Sequence, residues 1–189
     1  MQPATDEQLV ERIRKEGSLA FTPLYHRYKH RVYAYCYRLL KHPQNAEDAA
    51  QETFLKIHRS LHQLDSSESL QAWIFTIARN EAFTILRRAK PSEDLESITD
   101  DVWDDDTPLE RVVARDRSEI LQHCLGLLRP AYREVLILRE YEQLSYTEIA
   151  GVTNLSESAV KSALFKARKS MGKKLETILK GRNDELRAI

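Results

Sequence analysis

Apolar residues recur at intervals of three and four along most of this chain, and the clearest run covers residues 70–89. Leu70, Trp73, Ile74, Ile77, Ala78, Ala82, Ile85 and Leu86 form one wide stripe, predicting a helix to about Ala89 that Pro91 stops. Upstream, Ala46, Ala49, Ala50, Thr53, Phe54, Ile57 and Leu61 repeat in the same way. They predict a helix capped by Asn45 and running to about Leu64, followed by a polar loop, Asp65–Ser69. A helix from about Leu19 to Lys41, ended by Pro43, precedes it. The first helix is expected to open on a Thr5–Gln8 capping box, run through Lys15 and close at Gly17. Towards the C-terminus, Ile149, Ala150, Leu155, Val160, Leu164 and Ala167 predict two helices joined by a turn at Thr153–Leu155, with Ser156 as N-cap. The fold expected is all-α: two helical domains joined by an acidic flexible linker, the C-terminal domain a helix-turn-helix.

The faces opposite these stripes carry the candidate chemistry. On the last helix they read Ser158, Lys161, Ser162, Phe165, Lys166, Arg168 and Lys169. Short donors at the start and cations further along suit a helix in the DNA major groove, the alternative being a merely solvated αα-hairpin. The helix at 70–89 offers Phe75, Thr76, Arg79, Asn80, Phe83, Thr84, Arg87 and Arg88. Aromatics interleaved with Arg and an amide suit single-stranded nucleic acid, where rings stack on bases and cations hold the backbone. The alternative fate of Phe75 and Phe83 is packing on neighbouring helices. The third helix exposes Asp48, Gln51, Glu52, Leu55 and Arg59. Such a row can dock a partner protein, but spacing alone equally describes a solvated face.

Charge changes the picture only when it is divided. The chain has 29 Lys and Arg against 29 Asp and Glu, a formal net charge of zero. Yet residues 91–116 hold ten acids against two Arg, and residues 156–189 hold nine Lys or Arg against four acids. The charge is segregated, so each segment has its own field. The acidic stretch, with its run DDVWDDD, has too little apolar content to fold by itself. It reads as a self-repelling tether or as an anionic strand occupying a nucleic-acid channel, and Trp103 within it suggests docking. The longest unbroken apolar run is Val32–Tyr37, far too short for a membrane span. The opening MQPATDEQ has neither the basic flank nor the apolar core of a signal peptide, which points to the cytoplasm. Cys36 and Cys124 sit within helical patterns and are expected to be reduced and buried. His26/His30 and His58/His62 are pairs four apart, but no third or fourth ligand lies at matching spacing. Neither a nucleophile–base set nor a phosphate loop is present, so no metal, cofactor or catalysis is expected.

In chain order these segments resemble a bacterial RNA polymerase sigma factor of the extracytoplasmic-function, or group IV, class. AEDAAQETFLKIHRSL is similar to the family's core-polymerase-binding helix, and LQAWIFTIARNEAFTILRR to its promoter-melting and minus-ten-reading helix. LRPAYREVLILREYEQLSYTEIAGVTNLSESAVKSALFKARK resembles its minus-thirty-five domain. The likeness spans about Leu9 to Leu175. It implies a protein without catalysis of its own that binds core RNA polymerase and promoter DNA and is held by an anti-sigma factor. The domains implied are 1–90, a linker at 91–113, and 114–189. Asp48, Gln51 and Glu52, with Leu55 and Arg59 beside them, match the core-docking helix. Asn80 matches the reader of a flipped minus-ten base, with Arg79, Phe83, Arg87 and Arg88 along the same face and the loop at 65–70 lining the base pocket. Arg139, Lys161, Ser162, Phe165, Lys166 and Arg168 match minus-thirty-five contacts, flanked by Ser158 and Lys169. The linker matches the segment threading towards the RNA exit path. The chain departs from the family's pattern at Asn154 for the usual turn Gly, Thr153 for an aliphatic residue, and Ala163 for a frequent Arg. Glu157 near the helix start favours the helix dipole but repels phosphate. The competing reading is a stand-alone helix-turn-helix regulator, which leaves the first ninety residues without a role.

Overall fold

The computed structural model describes residues 5–61, 69–89, 91 and 117–187. They form α1 (Asp6–Glu16), α2 (Phe21–Leu40), α3 (Pro43–Ser60), α4 (Leu70–Ala89), α5 (Arg117–Gly126), α6 (Pro130–Leu136), α7 (Tyr146–Thr153) and α8 (Glu157–Arg187). No strand occurs among the described residues. The expected acidic linker and most of the expected loop after α3 lie outside them.

Helix ends follow local chemistry. Thr5 and Gln8 form the expected capping box, and Gly17 closes α1 at φ 58°, where a side chain would be strained. A 3₁₀ turn, Gly17–Ala20, delays α2 to Phe21. Pro43 does not end α2. Lys41, at φ 60°, breaks the chain, and Pro43 occupies the first turn of α3, where its missing N–H costs nothing. The cap of α3 is accordingly His42, whose Nδ1 accepts from the Asn45 N–H at 3.4 Å, and not Asn45.

The largest departure concerns which side of α4 is covered. Leu70, Ile74, Ala78 and Ala82 are buried as expected, but so are Phe75 and Phe83, both at 0% exposure. Trp73, Ile77, Ile85 and Leu86 are only half-buried against the core. The buried stripe is therefore turned towards the two Phe rings. The cause is that α4 packs against α2 and α3 and also against α7, with Phe75 edge-on to Tyr35, so that one apolar core extends across both halves of the molecule. Tyr35, Phe75 and Phe83 belong to the same continuous core as Val135, Leu138, Ile149, Val152 and Leu164.

The seam between the halves is polar at its margins. Tyr35 donates its hydroxyl to Glu134 at 3.0 Å, and Arg31 Nε donates to Glu142 at 3.0 Å. Lys41 Nζ reaches the Gly126 carbonyl at 2.9 Å. A Cβ at Gly126 would lie 2.6 Å from Lys41 Cε, so a larger residue there would push the lysine aside from this carbonyl. Arg133 is buried and ties the ends of two helices: its guanidinium donates to the carbonyls of Leu39, Leu125, Gly126 and Leu128 at 2.5–3.1 Å. Those carbonyls lie at or just past the ends of α2 and α5, so the buried cation has partners. Burial nevertheless lowers its pKa to about 10. Cys36 and Cys124 are free, buried thiols, and burial pushes Cys36 up to about 12.

Candidate nucleic-acid interface

The helix-turn-helix is built by caps at both of its joints. Ser145 and Glu148 form a capping box at the start of α7. Asn154 takes the turn at φ 57°, ψ 37°, a left-handed conformation that Asn tolerates better than other side chains. The expected Ser156 cap is present, its Oγ accepting from the Ala159 N–H at 3.2 Å. Thr147 donates to Glu157 at 2.7 Å and pins the two helices together, giving that acid a structural partner. Thr153 is buried, and its hydroxyl is satisfied by the Ile149 carbonyl at 2.7 Å, so the turn stays packed. Ala163 is fully buried. It faces the core between the two helices of the motif, away from the outer face of α8.

On the outer face of α8, Ser158, Lys161, Ser162, Arg168 and Lys169 are exposed, Phe165 is 68% exposed, and Lys166 is half-buried. Arg139, half-buried in the turn Ile137–Tyr141 after α6, approaches them with its guanidinium 5.0 Å from the Tyr146 ring, and Lys161 Nζ lies 5.6 Å from the same ring. Arg168 forms a salt bridge with Glu140 at 2.6 Å, and that bond raises its pKa. The structure thus gathers the residues expected on this surface and adds Tyr146 and Glu140, which the helical period alone did not single out.

The α4 face is arranged differently. Arg79 pairs with Glu134 at 3.0 Å and lies over the Phe83 ring at 4.5 Å, with only 11% of its side chain exposed. Phe83 was expected to be open for stacking on bases, but in this conformation it is core. Asn80, Arg87 and Arg88 are exposed. Asn80 borders a cavity of about 530 Å³ whose other walls come from α6 and the Asn154 turn.

The row on α3 is open. Asp48, Gln51 and Arg59 are exposed, Leu55 is 50% exposed and Glu52 half-buried. Beside it, α2 and α3 enclose a groove of about 560 Å³ lined by Phe21, Tyr25, Tyr33, Gln51, Phe54 and Leu55. Its aromatic wall is ordered by edge-to-face pairs, Tyr25 with Phe54 at 4.9 Å and Phe21 with His58 at 5.0 Å.

Two family profiles match: Sigma-70 region 2 over residues 24–91 and Sigma-70, region 4, over residues 118–171. The RNA polymerase sigma-H factor of Pseudomonas aeruginosa is 32% identical over 93% of this chain and 96% of its own length. The chain belongs to the sigma-70 family, in its extracytoplasmic-function class. This sigma factor is also 27% identical to the ECF RNA polymerase sigma factor SigW of Bacillus subtilis, over 89% of this chain and 96% of that one. Its fold matches CnrH in complex with the cytosolic domain of CnrY, with a TM-score of 0.67, 21% identity and coverage of 91% and 97%. It also matches RpoE of Bartonella quintana, solved with the anti-sigma factor NepR, with a TM-score of 0.66, 21% identity and coverage of 82% and 96%. As a sigma factor it binds core RNA polymerase and directs promoter-specific transcription initiation.

Among the described residues, no group of three or more His, Cys, Asp or Glu is placed to hold a metal ion, and no helix is long and apolar enough to cross a membrane.

Proposed function

We propose that this sigma factor selects promoters through three separate surfaces. The α3 row of Asp48, Gln51, Glu52, Leu55 and Arg59 docks on core polymerase, with the apolar groove beside it as support. On α4, Asn80 reads a flipped minus-ten base, while Arg79, Arg87 and Arg88 hold the backbone. Phe83 takes part there only by supporting Arg79 from beneath. On α8, Ser158, Lys161, Ser162, Phe165, Lys166, Arg168 and Lys169, with Arg139, form the minus-thirty-five reader. The corresponding units are residues 1–90 and 114–189, joined by 91–113. The protein acts in the cytoplasm, without catalysis of its own, and is restrained by an anti-sigma factor, the kind of partner with which RpoE of Bartonella quintana was crystallised.

The observation that carries this reading is the outer face of α8. Cations, hydroxyls and an exposed Phe share one side of a helix capped and angled by a helix-turn-helix. The rival, a regulator acting without polymerase, gives α3 and its groove no task. Reconstitution with core polymerase, followed by transcription on a promoter library, tests the reading. Lys161→Ala and Lys166→Ala should lower occupancy, at least one of them uniformly across sequences and with the salt slope reduced by about one unit. Unaltered binding and salt dependence in both variants would remove α8 from the groove.

A further inference from the structure

We propose that Glu140 is a positioning residue for promoter recognition. Its carboxylate grips one edge of the Arg168 guanidinium and presents the other edge to DNA, so that it governs selectivity at one minus-thirty-five base pair. The proposal rests on the reading of α8 as the groove helix.

The geometry is specific. Arg168 Nε and Nη2 both donate to the same carboxylate oxygen of Glu140, at 3.1 and 2.6 Å. Those donors occupy one edge of the guanidinium plane, which leaves Nη1 and the outer hydrogen of Nη2 on the opposite edge. Both side chains are about half exposed, at 50% and 49%, so the pair adds little to stability and its effect is on orientation.

Glu140 is itself held by an unusual piece of backbone. Residues Ile137–Tyr141 form a π turn, closed by the Glu142 N–H on the Ile137 carbonyl at 3.1 Å. Such turns are rare and concentrate at functional sites. The next residues lock it: Gln143, at φ 60°, donates its side-chain amide to the Glu140 carbonyl at 2.7 Å, and Arg139 donates to the Leu144 carbonyl at 2.7 Å. Glu140 therefore sits on a fixed platform and not on a frayed helix end.

A carboxylate on a surface that meets phosphates opposes binding, so its presence calls for a compensating role. An unrestrained Arg settles on the nearest phosphate, a contact without sequence information. A guanidinium held in one plane is what a two-point contact with a base edge needs. Arg168 lies on the same side of α8 as Lys161 and Phe165, at spacings of three and four, so its free edge belongs to the reading face.

The test uses the full chain in reconstituted holoenzyme, with affinity measured on a cognate promoter and on one with a scrambled minus-thirty-five element, at several salt concentrations. E140A should raise affinity for the scrambled promoter about twofold and steepen the salt slope by about one unit, as Arg168 moves to phosphate. The cognate-to-scrambled ratio should fall about fivefold or more. E140Q, which keeps an acceptor oxygen, should recover part of that ratio. In an R168A background, E140A should leave the ratio unchanged. A merely structural role would lower both affinities together and shift the thermal midpoint, and that result would overturn the proposal. An unchanged ratio in E140A, alongside a reduced one in R168A, would also overturn it while leaving the groove-helix reading intact. If R168A itself changes neither affinity nor ratio, the reading of α8 fails at this position and the proposal falls with it.

Discussion

Replacing Phe83 with Ala should cost about 3–5 kcal/mol of stability, because the ring is fully buried beneath Arg79 and its loss leaves a cavity. Urea unfolding measures this directly. A residue that only stacked on bases would leave the midpoint unmoved. Asn80→Ala, one turn earlier on the same helix, should behave in the opposite way. Its side chain is exposed, so stability should stay within about ±0.5 kcal/mol. Transcription from promoters varied at each minus-ten base should show relaxed preference at one position, worth about 1–3 kcal/mol. A base-preference profile identical to wild type, from a folded mutant, would transfer that role to other residues of the helix. The two substitutions together separate what α4 gives to the core from what it offers to DNA.

At the level of elements, the joints of the helix-turn-helix make the next prediction. Ser145→Ala removes one half of a capping box and should lower stability by about 1 kcal/mol. Asn154→Gly should be neutral or stabilising, whereas Asn154→Ala should destabilise, since only the first accepts φ 57° freely. Thermal melts of the three variants check the order. This joint was legible in the sequence because its signals are local: the Ser156 cap, the turn at Thr153–Leu155 and the apolar period on either side. The span of α4 was legible for the same reason. The side of α4 that is buried was not. A helix covered from one side shows a single stripe, but α4 is covered by α2 and α3 as well as by α7, and Phe75 packs edge-on against Tyr35, forty positions upstream. The π turn under Glu140 left no trace, because nothing in ILREY distinguishes a five-residue from a four-residue closure. The α3 row was legible as a pattern, but whether it is open or covered was decided only by where α2 and α4 pack.

For the molecule as a whole, Glu134 is the side chain to remove. It is 2% exposed and receives both the Tyr35 hydroxyl and the Arg79 guanidinium, so it ties α6 to α2 and α4 at once. Glu134→Ala leaves a buried cation without its carboxylate and should weaken the seam by about 3 kcal/mol or more. Solution scattering should then show a larger radius of gyration with helical content retained, whereas an unchanged profile would mean that the apolar core alone holds the halves together. The seam also imposes an order of events. The α3 row faces outward, while Arg79 is engaged by Glu134 and Asn80 borders both the cavity shared with α6 and the Asn154 turn and a hollow shared with α3. A partner can therefore reach the proposed docking row while the seam is closed, but a DNA backbone reaching for Arg79 has to displace Glu134 first. The proposed roles then fall in order, company before sequence: the chain can be recruited while one cation of its reading face is still engaged inside the fold.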